Sequence, residues 1–212
     1  METNKFLQHL IEDPKVYYIY QRESSIYGLN TKDSDIDYLV IIDSEYELPE
    51  EYLSYEYNSG YINDRKNIKY ENSDFIFVFI QNWFEMVLNN KIPAWECACL
   101  NKKFIKKEYV KLILKTDLIK LIKDLMIRKA AIINYITDSK IVWYFIKDIL
   151  FTQQIIDFHK ITDFKEANKY YQDIANSDVD RRIAFINQIW NQFYEKNKGR
   201  YEYYIKSVKQ DE

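Results

Sequence analysis

Apolar residues change period near the middle of this chain, and the two regimes predict two kinds of element. Lys5 to Glu12 spaces its apolar positions as a short amphipathic helix does and is stopped by Pro14. The run Val16-Tyr17-Tyr18-Ile19-Tyr20 is β-branched and aromatic, which predicts a strand ending in polar Gln21-Arg22-Glu23-Ser24-Ser25. From Asp35 to Asp43, acidic and apolar residues alternate and then give way to an unbroken apolar run. That is the pattern of a strand buried on both faces, with its polar end open at a site. Asp74 to Ile80 reads as a third strand, and in Gln81 to Asn90 the side chains Trp83, Phe84, Val87 and Leu88 share a helical face. Residues 43–57 carry six acidic and no basic side chains, so they read as an exposed excursion.

From about Lys106 the apolar positions recur every three or four residues, from Tyr109 and Leu112 through Leu121, Leu125 and Ile136. This predicts one long amphipathic helix or two abutting ones. Helices over 140–160, 163–175 and 178–207 follow, with Asp163, Ser177 and Asp178 as N-cap candidates because their side-chain oxygens can accept the first free N–H groups. The expected architecture is α+β: a small mixed β-sheet domain over residues 1–104, then a helical bundle over 105–212. The helical half is expected to form the other wall of a cleft that holds the site.

Composition narrows the chemistry. With three Gly and three Pro in 212 residues, a Gly-rich phosphate loop is excluded as the main nucleotide binder, and turns must rely on Asn, Asp and Ser. Cys97 and Cys99 are too close for an ordinary disulfide and too few for a closed zinc site, which fits a reducing compartment. No apolar run reaches the ~20 residues of a membrane span, so a soluble, cytoplasmic protein with no membrane partner is expected. The net charge of −3 hides a split: 8 basic against 18 acidic side chains in residues 1–100, and 22 against 15 in residues 101–212. Carboxylates that hold metal beside a cationic half that receives a polyanion would be divided in this way. Lys103, Lys107, Lys111 and Lys115, spaced by four, would form a basic stripe on one helix face, which reads first as a solvated face.

The chemistry concentrates in Ser24 to Ile41. At a strand start, Asp35 and Asp37 face the same way, with Cβ atoms roughly 6–7 Å apart, so their carboxylates can share hard cations such as Mg²⁺. A third carboxylate on a neighbouring strand would complete a two-metal site. Asp74 is the candidate, with Asp64 and Glu71 as alternatives. Asp33 shares the facing only if the strand extends backward.

The string S-x-x-Y-G-x-N-T-x-x-S-D-I-D-Y-x-V-I, from Ser24 to Ile41, resembles the DNA polymerase β-like nucleotidyltransferase superfamily. Within it, the Y-G-x-N-T-x-x-S-D-I-D-Y form resembles the minimal nucleotidyltransferases of bacteria, phages and large viruses, and Asn89-Asn90-Lys91-Ile92-Pro93 with Trp95-Glu96 resembles their helix-end segment. The resemblance covers about residues 16–104. It implies that Asp35, Asp37 and Asp74 hold two Mg²⁺ ions, with Mn²⁺ as a substitute, and that Asp74 activates the acceptor hydroxyl. Ser24, with Ser25 beside it, would hold the triphosphate of an NTP. The implied reaction transfers an NMP to an RNA 3′ end, a protein side chain or a small molecule, and the basic half favours RNA. One departure stands out: Glu23 replaces the family's glycine and sets a negative charge where phosphate should lie. This departure keeps open the alternative of a catalytically degenerate nucleotide-binding or protein- or RNA-interaction module.

Overall fold

The apolar run after Asp37 becomes a central strand of a mixed sheet because it is covered on both faces. The computed structural model describes residues 4–22, 24–29, 34–58, 66–100, 103–105 and 117–208. It is α+β and divides into two units, one drawn from Met1–Leu88 and Glu96–Leu112, the other from Asn89–Trp95 and Ile113–Glu212.

In the first unit the strands are β1 (Val16–Arg22), β2 (Ile36–Ile42), β3 (Glu56–Asn58), β4 (Lys66–Tyr70), β5 (Ser73–Phe79) and β6 (Lys103–Ile105). They form one sheet in the order β3-β4-β5-β2-β1-β6, so four longer strands are flanked by two three-residue edges. β2 and β5 run parallel, and every other pairing is antiparallel. The β4–β5 hairpin turns on Glu71 and Asn72, with Glu71 in the left-handed region at φ 55°. β5 begins at Ser73 and gives way at Ile80 to a helix, one residue earlier than the sequence reading at each end.

Alternation sorts the sheet into two faces. On one, Ile19, Tyr38, Val40, Ile42, Ile68, Phe75 and Phe77 pack with Phe6, Leu7 and Leu10 of α1 (Lys5–Glu12). Asn4 caps α1 by accepting from the Leu7 N–H at 3.0 Å. Phe6 meets Phe75 edge-on at 4.9 Å and Tyr52 at 4.4 Å. Tyr52 lies in a 3₁₀ turn, Glu50–Tyr55, and Tyr46 stacks on Phe77. Residues 43–57 are therefore not a wholly exposed excursion. Glu45, Glu47, Glu50 and Glu51 are exposed while Tyr52 is buried and Tyr46 packs against the core, a pattern that counting charges conceals.

On the other face Tyr18, Tyr20, Leu39, Ile41 and Val78 are buried. After β1 comes the short α2 (Ser24–Tyr27), and after β5 comes α3 (Ile80–Leu88), whose Trp83 stacks on Tyr20 at 5.6 Å. α4 (Ile92–Cys99) follows.

The second unit is helical from Asp117 onward. α5 (Leu118–Ile132) is capped by Asp117, which accepts from the Ile119 and Lys120 N–H groups. α6 (Ser139–Phe158) is capped by Asp138 and ends at His159 in the left-handed region. A 3₁₀ turn leads into α7 (Tyr171–Ala175), and α8 (Val179–Val208) closes the unit. α6 packs against α5, α7 and α8. Its Gln154 accepts from the Thr162 and Asp163 N–H groups at 2.7 and 2.8 Å and so fixes the turn that follows.

Asp178 accepts from the Arg181 N–H as a cap of α8, as expected. Ser177 instead donates to the Ile174 carbonyl, and Asp163 bonds the Lys165 N–H in the turn before the 3₁₀ segment. Lys103 is not on a helix: it opens β6, opposite Tyr20, because an edge position beside β1 offers its backbone a ladder. Lys107, Lys111 and Lys115 lie outside the described residues. Among the described residues no helix is long and apolar enough to cross a membrane.

The buried tyrosines give a test. Burial pushes the Tyr20 hydroxyl well above the ordinary tyrosine value of 10.0, with smaller contributions from Cys97 and Tyr18, and burial raises Tyr38 and Tyr46 too. The folded chain holds these protons more tightly than the unfolded one. The stability they contribute is complete below pH 10 and is lost as pH climbs past it. In an alkaline titration followed by tyrosinate absorbance, exposed tyrosines should ionise first and these three only with unfolding. Full ionisation of all tyrosines near pH 10 with native circular dichroism would contradict this packing.

Candidate functional site

Register brings the site together at the polar ends of β2 and β5. Asp37 pairs directly with Asp74 across the parallel ladder, so both side chains leave the sheet on one face with their backbones about 4.8 Å apart. Lys69 of β4 is opposite Asp74, and Arg22 of β1 is opposite Asp37. One row across four strands thus reads Lys69, Asp74, Asp37, Arg22. Asp35 stands just ahead of β2, where the Ile36 N–H is held by the Asn72 carbonyl at 2.9 Å.

The Lys69 ammonium is the meeting point. Its Nζ lies 2.7 Å from Asp35 Oδ2 and 3.9 Å from Asp74 Oδ2. The Asp35 hydrogen bond, then the charges of Asp74 and Asp35, with a smaller share from Asp37, hold its pKa above the usual lysine value of 10.5. Of the three aspartates named from sequence, Asp35 and Asp74 thus approach the Lys69 ammonium, and Asp37 acts on it by charge. Glu71, one of the alternative third carboxylates, instead accepts from Asn4 Nδ2 at 3.2 Å, away from this row, and Asp64 and Asp33 lie outside the described residues.

Three carboxylates are the oxygen donor set that Mg²⁺ or Mn²⁺ takes, and a cation already occupies their common neighbourhood, so the residues fit the ion in chemistry. As they stand they are arranged about an ammonium. Among the described residues no three carboxylate, imidazole or thiol side chains are close enough together to hold a metal ion directly.

A buried polar cluster supports the other end of the row. Glu96 of α4 is 1% exposed and accepts from Tyr27 Oη at 2.6 Å and from Arg22 Nη2 at 3.1 Å. Tyr27 ends α2, and Gly28 follows at φ 72°, a conformation that a Cβ would strain. The Tyr-Gly pair of the motif is thus an anchor and a turn. Ser24 and Ser25 open α2 directly after β1 by their backbone, while their side chains, like Glu23 and residues 30–33, lie outside the described part.

Sequence reasoning named the carboxylates but missed Lys69, Arg22 and Glu96 as members of the site. The Trp95-Glu96 pair carried a signal, because a glutamate amid apolar α4 residues must find buried partners. Nothing marked Lys69, since its strand was not foreseen.

Comparison with protein-family models, curated proteins and solved structures returns no match for this chain.

Replacing Glu96 with Ala strands a largely buried guanidinium and a buried hydroxyl, which should lower stability by about 3–5 kcal/mol. Glu96→Gln, which keeps an acceptor for Tyr27, should cost less. Urea denaturation compares the two, and a Glu96→Ala midpoint equal to the parent's would rule the cluster out as a structural anchor.

Proposed function

We propose that the chain is a Mg²⁺-dependent nucleotidyltransferase of the DNA polymerase β-like kind, transferring an NMP from an NTP to a hydroxyl and releasing pyrophosphate. The observation that carries this reading is the pairing of Asp37 with Asp74 at the ends of two parallel strands, with Asp35 and Asp74 drawn to one ammonium. The Ser24-to-Ile41 motif supports it, and so does the strand-to-helix turn that starts at Ser24.

Asp35, Asp37 and Asp74 would hold Mg²⁺, which when bound supplies stabilisation of charge on the α-phosphate and on the departing pyrophosphate. Asp74, the least exposed of the two carboxylates beside Lys69, takes up the acceptor's proton. The acceptor oxygen forms a bond to the α-phosphorus as the α–β bridging bond breaks, and the electron pair leaves with pyrophosphate. Ser24 and the N–H groups opening α2 serve the triphosphate. The basic character of residues 101–212 favours RNA as acceptor over a protein side chain or small molecule.

The test is incubation with each α-labelled NTP, Mg²⁺ or Mn²⁺, and a mixed pool of RNA and protein, asking which component gains label. Label should enter the RNA fraction, and Asp35→Asn and Asp37→Asn should each lower the rate by ~100-fold or more. Transfer at the parent rate by either variant would sink the mechanism. No label in any fraction, with no heat of NTP binding, would favour a non-catalytic module instead.

A further inference from the structure

We propose that Lys69 is a resident counter-cation of the three-aspartate site, displaced when a divalent ion binds, so that this lysine sets how tightly the free protein takes metal. The inference rests on the metal-site reading above and deepens it.

Three observations carry it. First, the position is built in: Lys69 faces Asp74 across the β4–β5 ladder, so the alternation that turns Ile68 into the core sends Lys69 to the carboxylate face. Second, the ammonium stands between two of the carboxylates, at 2.7 Å from Asp35 and 3.9 Å from Asp74, and feels the third. At the far end of the row Arg22 directs Nη2 to Glu96. Third, the pair can open. The Lys69 side chain is 54% exposed and Asp35 38%, so the ammonium can leave into water on its flexible stem. Exposed ion pairs are weak, whereas a divalent ion draws on all three carboxylates at once. The lysine therefore resists metal without blocking it.

A merely structural ion pair and a competing cation differ in what they do to metal affinity. The experiment is calorimetric titration of the full chain with Mn²⁺, without nucleotide, for the parent, Lys69→Met, Lys69→Gln and Lys69→Arg, each checked for native circular dichroism. Both neutral variants should bind Mn²⁺ about three- to tenfold more tightly, the scale of losing one or two exposed ion pairs, while Lys69→Arg stays near the parent. Asp74→Asn should weaken binding in every background. If the parent binds Mn²⁺ and the neutral variants bind it no more tightly, Lys69 is an ordinary surface partner and this inference falls alone. If none of the proteins binds Mn²⁺, even with the lysine removed, the metal reading falls and takes the inference with it.

Discussion

The site depends on one constraint: parallel pairing of β2 with β5 sets Asp37 beside Asp74, one strand spacing apart, with Asp35 close by. Like charges in such a row repel, and the sheet cannot relieve them by slipping. A one-residue shift would turn Val40, Phe75 and Phe77 out of the core. The apolar face thus holds the acidic face in register, and the repulsion must be met by positive charge. Lys69 meets it from β4. A row of carboxylates enforced by a core on the opposite side of the same strands is pre-organised for cations in a way that a loop-borne cluster is not.

The second constraint is the burial of Glu96. A carboxylate taken out of water is costly unless it is both paired and hydrogen-bonded, and Arg22 and Tyr27 meet both conditions. Through this cluster, Glu96 ties the end of β1 to the end of α2 from far downstream in the sequence. The left-handed Gly28 then starts the chain on its way back to β2. What reads in the sequence as a contiguous motif is therefore held by a residue about seventy positions downstream.

Much of this was legible in advance because the central strands are nearly pure in pattern. β1, β2 and β5, α1, and the helices from α5 onward declare themselves by period. The aspartates stand out because they are the polar ends of apolar runs. The rest was hidden for physical reasons. β4 turns into β5 through Glu71-Asn72, with no glycine to mark a hairpin, and in β4 the one aliphatic residue, Ile68, is buried between polar Asn67 and exposed Lys69. Lys69 was lost with that strand. β3 and β6 are three residues long, too short for any period to show. Lys103 fits a helical stripe on spacing alone, and the backbone hydrogen bonds offered by β1 decided otherwise.

The path of the chain after α3 has a consequence for dissecting the protein. Residues 96–105 return to the first unit and supply both the acid that neutralises Arg22 and the strand that covers the outer side of β1. A fragment cut at the end of α3 would keep every residue of the aspartate motif. Its β1 would nevertheless be a bare edge, with unpaired amides open to a neighbouring molecule, beside a guanidinium that has lost Glu96. Such a piece invites sheet-to-sheet association between copies, because the first unit is completed by residues that follow a segment of the second.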